Sequence, residues 1–257
     1  MNILTRLYNS LKEIIETINL MFNAIVSFFT RWYTGGLIVF EATIDQIWFT
    51  GIKGMHVIGM AGIGLGLIVS TILLSFGLPV NIVTSMQGQI LTLVIIRELG
   101  PLLTALIIIS RSGTAITTEI GNMNANKEFD ALTSMGIDVI HFVVSPRIIG
   151  MVIAVISLNI YLCFLSVITS AVVFNFNNVS YNIFFNSFFD NLEFSSVFIT
   201  LIKAIGFGFI ISSISCYQGY RKPLTFTDVP RVLTKSTGKC IIWCFLYYAF
   251  ITILSYL

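Results

Sequence analysis

Three side chains stand where an apolar chain should not have them. Arg97 and Glu98 follow 43 residues, Gly54 to Ile96, that contain no Asp, Glu, Lys or Arg, and Lys203 interrupts a later apolar run in the same way. An ionisable group at the centre of a bilayer costs about 2.5–3.5 kcal/mol on insertion scales, so it meets a partner, a cavity or water. Successive residues of a helix project about 100° apart, so Arg97 and Glu98 are not expected to pair face to face. Each is expected to find a partner on another helix or to line a polar pocket. Two chemistries suit such a set: a structural salt-bridge cluster such as Glu98 with Lys203, or a polar lining for a charged or amphiphilic cargo. Gly100 and Pro101 follow directly. Proline removes a backbone hydrogen bond and crowds the preceding turn, which predicts a helix kink beside the charges.

The elements that must carry these residues are membrane helices. Of 257 residues, 56% are apolar and 10% charged, far below the quarter or so charged that soluble domains show. Each crossing of a roughly 30 Å hydrocarbon core takes about 20 apolar residues. The uncharged run is broken by Phe76-Gly77-Leu78-Pro79-Val80-Asn81, a turn-type cluster, and reads as two crossings near 55–77 and 84–110. A third crossing is expected near 148–173, followed by NFNNVSYNIFFNSFF as a loop at headgroup level. A fourth, near 196–217, contains Lys203, and a basic loop with Arg221, Lys222, Arg231, Lys235 and Lys239 leads to a fifth at 240–257. In the first 33 residues Leu4, Leu7, Leu11, Ile14, Ile18, Phe22 and Ile25 recur at helical spacing opposite Lys12, Glu13 and Glu16. Such a helix lies in the membrane surface.

The connector from Arg111 to Arg147 is polar, and Asn126 is placed to cap a short helix, KEFDALTSM, that Gly136 ends. Phe129, Leu132 and Met135 share one face of it. The fold class is therefore an all-α polytopic membrane protein: an N-terminal amphipathic interfacial (elbow) helix, five transmembrane helices, and a cytoplasmic helix between the second and third. A cytoplasmic N-terminus puts 12 of the 14 basic residues in the N-terminal segment, the 111–147 connector and the 218–239 loop, as the positive-inside rule requires. The C-terminus then lies on the opposite side. The exceptions are Arg97 and Lys203.

Other motifs point away from chemistry. Gly62 and Gly66 form a G-x-x-x-G with no strand before it, which suits close helix packing and not a dinucleotide. Cys163, Cys216, Cys240 and Cys244 sit in or beside apolar runs and read as small buried hydrophobes. His56 and His141 lie near crossing ends without a ligand cluster, which suits interfacial anchoring and no metal. The net charge of +2 gives no ground for nucleic-acid binding. The sequence has no G-x-x-x-x-G-K-[ST] loop, so ATP hydrolysis by that machinery is not expected in this chain, nor is any cofactor.

RELGP at 97–101, R-S-G at 111–113, T-T-E-I-G at 117–121, the M-x-A-x-x-E-x-x-A-L-x-x-M-G-I-D run from Met123 to Asp138, and S-P-R at 145–147 together resemble the MlaE (YrbE/Mce-associated) family of ABC transporter permeases. The resemblance is dense over 87–150 and diffuse elsewhere. It implies a homodimeric, multi-pass permease of the bacterial inner membrane with a periplasmic C-terminus. Its partners would be a cytoplasmic ABC ATPase that uses the ATP, a periplasmic MCE-domain lipid-binding protein and, in some systems, a STAS-domain subunit. The cargo would be phospholipid moved between inner and outer membranes, maintaining outer-membrane lipid asymmetry. Arg97, Glu98 and Lys203 would lie at the lipid cavity. The stretch from Glu119 to Gly136, with Met123, Lys127, Glu128, Leu132 and Met135, would couple to the ATPase. Two other readings remain: an ion-coupled secondary transporter with Glu98 on the ion path, and a non-transporting membrane anchor of a periplasmic complex.

Overall fold

The computed structural model describes residues 3–30, 35–75, 87–177, 179–221 and 225–256, with side chains from Lys12 onward. Every regular element among them is helical. They are α1 (Ile3–Thr30), α2 (Gly36–Thr50), α3 (Met55–Ser75), α4 (Gln87–Ala125), α5 (Glu128–Ser134), α6 (Ile140–Phe176), α7 (Tyr181–Asp190), α8 (Phe194–Tyr220) and α9 (Val229–Tyr256). Among the described residues six stretches are long and apolar enough to cross a bilayer: Lys12–Thr30, Gly36–Ser75, Gln87–Ala125, Ile140–Phe176, Phe194–Tyr220 and Val229–Tyr256. The protein is an all-α polytopic membrane protein. The turn-type cluster at 76–81 lies outside the described residues.

α6 and α8 form the centre. α3 packs along α6, α6 along α8, and α8 along both α4 and α9. The α3–α6 seam explains the paired glycines. A Cβ on Gly66 would lie 2.4 Å from the Ser166 carbonyl oxygen, and one on Gly62 would lie 2.9 Å from that of Leu162. Ser166 Oγ donates to the Gly62 carbonyl at 2.9 Å and Ser170 Oγ to that of Gly66 at 3.3 Å. Small residues thus bring two backbones of the same chain close enough for side chain to backbone bonds across the seam. A second apolar cluster, with Leu73, Leu91, Ile95, Phe174, Phe184 and Phe188, closes the end where α3 stops and α4 begins.

Several elements differ from the sequence expectation. Residues 36–50 are helical although Glu41 and Asp45 break the apolar run, because Val39, Thr43, Gln46 and Thr50 form one buried face against α6. The second crossing stays helical to Ala125, with Ile116, Thr117, Ile120 and Gly121 buried. The Asn-rich stretch expected as a headgroup loop contains α7, whose Phe184 and Phe188, one turn apart, are buried. The basic loop is shorter than expected, since α9 begins at Val229 and buries Val229, Ser236, Cys240 and Cys244 along one face. Asn126 does not cap α5: it ends α4, and Lys127 in the left-handed region (φ 59°) turns the chain into α5. Gly136 (φ 76°) ends α5 as expected. Its N–H donates to the Thr133 carbonyl and that of Ile137 to the Leu132 carbonyl, both at 3.0 Å, the Schellman arrangement.

Cys216, Cys240 and Cys244 are buried and Cys163 is partly so. His56 is exposed, whereas His141 is buried edge-on to Phe142 and does not face the membrane surface. Gly66→Ala should lower the thermal stability of the purified protein by about 1–3 kcal/mol, because the clash is with backbone. Gly64→Ala, whose Cβ would meet nothing within 4 Å, should leave the unfolding temperature in the same detergent unchanged.

Candidate functional site

The site begins with an irregularity in α4. Residues Leu91–Leu99 wind as a π-helix, and the Gly100 N–H reaches back five residues to the Ile95 carbonyl. The normal α-helical donor to the Arg97 carbonyl would be the nitrogen of Pro101, which carries no hydrogen. Two side chains one turn apart on α8 take up the carbonyls left over. Thr200 Oγ1 donates to the Ile96 carbonyl and Lys203 Nζ to that of Arg97, both at 2.8 Å. The break expected at Gly100-Pro101 therefore takes the form of a widened turn inside a continuous helix, and it fixes α4 against α8.

Arg97, Glu98 and Lys203 are brought together. Lys203, wholly buried, places Nζ 2.8 Å from Glu98 Oε2 and 4.6 Å from the centre of the Tyr248 ring. The same carboxylate oxygen accepts from Tyr248 Oη at 2.6 Å and Thr252 Oγ1 at 3.3 Å, and Tyr256 Oη donates to Oε1 at 3.4 Å. Arg97 Nη2 donates to both the carbonyl and the hydroxyl of Ser255 at 2.8 Å, and its guanidinium lies 4.1 Å from the centre of the Tyr256 ring. Arg97 Nε approaches Glu98 Oε1 at 3.7 Å but has no hydrogen-bond partner among the described residues. The expectation that the two neighbours would not meet thus needs correcting: Glu98 turns toward α8 and α9, and its second oxygen is left within ionic reach of Arg97. Two cations and one carboxylate leave one positive charge in excess, at about 15 Å from the start of α4 by helix rise. Glu98 is the most accessible of the three side chains, at 19%.

Four participants were not singled out from sequence: Tyr248, Thr252, Ser255 and Tyr256, all on α9. Their signal was present as hydroxyls at 248, 252 and 256, a four-residue spacing that lines one face of a helix otherwise apolar there. Thr200, one turn before Lys203, follows the same logic on α8.

The residues expected to couple to an ATPase fall into two groups. Glu119 pairs with Arg147 at 3.1 Å, and Arg147 Nη2 lies 3.9 Å from the Met123 sulfur, so these tie α4 to α6. Leu132 packs on the core and buried Phe129 lies against Tyr220, ring centres 5.4 Å apart. Lys127, Met135 and Gly136 face outward, with Met135 72% exposed; Glu128, half-buried, accepts from Asn126 Nδ2 at 3.0 Å. α5 thus has one face docked on the bundle and one available.

The family model described as Permease MlaE matches residues 43–254. A Rickettsia typhi protein named as a probable ABC transporter permease is 36% identical over 159 residues, which cover 59% of this chain and 60% of the relative. A Rickettsia bellii protein of the same description is 32% identical over 202 residues, 77% of this chain and 76% of the relative. A Haemophilus influenzae protein named as the intermembrane phospholipid transport system permease protein MlaE is 25% identical over 203 residues, with 77% and 76% covered. The matched range takes in Arg97, Glu98, Lys203, Tyr248 and Thr252, and on that extent the chain belongs to the MlaE permease family.

Proposed function

We propose that this chain is the membrane permease of an ABC transporter that moves phospholipids between the inner and outer membranes of a bacterium, in the service of outer-membrane lipid asymmetry. The observation that carries the reading is the Arg97–Glu98–Lys203 cluster: a net positive charge built into apolar helices, with one carboxylate as its internal counter-ion. A phospholipid offers acyl chains to an apolar wall and a phosphate to a cationic one. Glu98 accepts from Lys203, Tyr248 and Thr252 and keeps the cationic groups oriented for such a phosphate. Cargo competes with it at Arg97, whose Nε has no hydrogen-bond partner among the described residues.

The remaining assignments rest on the same reading. α9 buries only 11% of its most apolar stretch, against 50% for α8, which suits a second copy of the chain beside it in a homodimer. α1 suits an interfacial helix. Its Ala24 carbonyl accepts from Ser145, near the start of α6, while Glu13 meets Arg221 and Lys239, near the end of α8 and the start of α9. Both contacts lie toward the side of the bundle that carries most of the basic residues, which supports a cytoplasmic placement of that side and a periplasmic C-terminus. α5, on the same side, is the docking element for a cytoplasmic ABC ATPase, with Met135 at the contact. An MCE-domain protein on the periplasmic side, and a STAS-domain subunit where one exists, complete the assembly.

Affinity purification from native membranes, with mass spectrometry of proteins and lipids, should recover an ATP-binding subunit and phospholipid. A chain that comes out alone and moves cargo on an ion gradient would sink the proposal. Lys203→Met should destabilise the protein by about 3–5 kcal/mol, because Glu98 is left without its buried cation. Adding Glu98→Gln should recover much of the unfolding temperature but not lipid transport; transport restored with stability would make the cluster purely structural. Arg97→Ala should reduce photo-crosslinking to a phospholipid probe by roughly tenfold, an effect of the size expected for one charge-assisted contact.

A further inference from the structure

A second feature, away from the Arg97 cluster, combines an apolar groove with unbalanced charge. Between α1, α8 and α9 lies a cavity of 360 Å³, within the roughly 300–1,000 Å³ range of small-molecule sites. Ile14 and Ile18 of α1, Phe209 and Ile214 of α8, and Trp243 of α9 form its apolar wall. Its charged residues, Glu13 and Lys239, lie with Gln218 toward one end, and the hydroxyls of Thr17 and Ser213 belong to residues of the same lining. From Gln218 to Phe209 the groove follows α8 for about 13 Å by helix rise, polar at the mouth and apolar at depth.

The mouth carries more positive charge than it needs for itself. Glu13 alone serves Arg221, Lys239 and, at 3.5 Å, Lys235. Glu16 accepts from Tyr217 and lies 3.9 Å from Lys12. Four cations, Lys12, Arg221, Lys235 and Lys239, around two carboxylates leave two positive charges in excess beside the Glu13–Lys239 end of the groove. Inside it, Ser213 is 3% exposed, lines the cavity, and its Oγ has no hydrogen-bond partner among the described residues. A buried hydroxyl left unpaired costs about 1–3 kcal/mol, so its place in the wall points to an acceptor supplied from outside. It sits about 7 Å deeper along α8 than Gln218 by helix rise.

We propose that this groove holds one phospholipid with an anionic headgroup, taken from the leaflet on the side of Arg221 and Lys239. The headgroup phosphate lies against Lys235 and Lys239, a glycerol ester carbonyl accepts from Ser213 Oγ, and an acyl chain lies along Ile18, Phe209 and Trp243. The charge excess selects an anionic over a zwitterionic lipid. This site is separate from the transport cluster and requires only that the helices stand in a bilayer. By bridging α1 to α8 and α9, the bound lipid fastens the N-terminal helix to the bundle.

The full chain carrying Trp32→Phe and Trp48→Phe keeps Trp243 as its single indole, within the groove. In nanodiscs, acyl-brominated phosphatidylglycerol should quench Trp243 at a mole fraction on the order of tenfold lower than brominated phosphatidylcholine. Lys235→Gln with Lys239→Gln should remove that preference. Ser213→Leu, which fills the groove and leaves every charge in place, should reduce quenching by phosphatidylglycerol to the phosphatidylcholine level. Equal quenching by the two lipids in the starting protein overturns the proposal, as does a preference that survives both variants. Absence of quenching by either lipid, as when a second copy or another subunit occupies the groove, overturns it as well.

Discussion

In hydrocarbon no water is available to a stray carbonyl, and each unsatisfied backbone group costs several kcal/mol. The arrangement around residue 97 follows from that constraint. Pro101 cannot donate, and the π-turn before it shifts the hydrogen-bond register, so two consecutive carbonyls, those of Ile96 and Arg97, need donors from elsewhere. Thr200 and Lys203 supply them from one face of α8. Once the Lys203 ammonium is held there, Glu98 is required as its counter-ion, and Glu98 in turn collects the hydroxyls of α9. A backbone irregularity on one helix thereby fixes the relative placement of three.

Such an arrangement is stable without being inert. Its bonds are short and mutually supporting, yet the ions do not neutralise one another, and the carboxylate is the most accessible of the three charged side chains. A neutral, fully enclosed cluster would serve as a rivet and nothing more. A cluster with one uncompensated cation presents a standing attraction to an anion, and apart from Lys203 the side chains that hold Glu98 are all on α9, whose most apolar stretch is only 11% buried. Breaking its contacts with Glu98 disrupts hydrogen bonds more than apolar packing, since Tyr248, Thr252 and Tyr256 touch the carboxylate through their hydroxyls.

Charge at the other ends of the helices follows different rules. On α1 a single carboxylate, Glu13, gathers Arg221 just after α8 and Lys235 and Lys239 in the first half of α9. Glu119 and Arg147 do the same for α4 and α6. These pairs join different helices through side chains that range from largely buried, as at Glu13, to exposed, as at Lys235 and Glu119. The Arg97 cluster differs in lying along helix lengths, where a buried charge is costly to leave without close partners.

Length and hydrophobicity alone determined that this chain is a bundle of membrane helices, because about 20 apolar residues without charge have few other stable fates. The isolation of Arg97, Glu98 and Lys203 was equally plain, since a charge is conspicuous only against an apolar background. Helix ends were less legible: Val229 and Ala125 bound helices longer than expected because small and polar residues such as Ser236, Thr117 and Gly121 bury well against a neighbour while lowering local hydropathy. α2 and α7 were less legible because exposed Glu41, Asp45, Asn182 and Asn186 interleave in sequence with the few residues each helix buries. Only the tertiary structure decided which groups meet. That Lys203 bonds the Arg97 carbonyl, that Tyr248 and Tyr256 reach Glu98, and that Glu13 gathers three cations all depend on how helices far apart in sequence are rotated about their axes. Periodicity gives each helix a face; it does not say which neighbour that face will find.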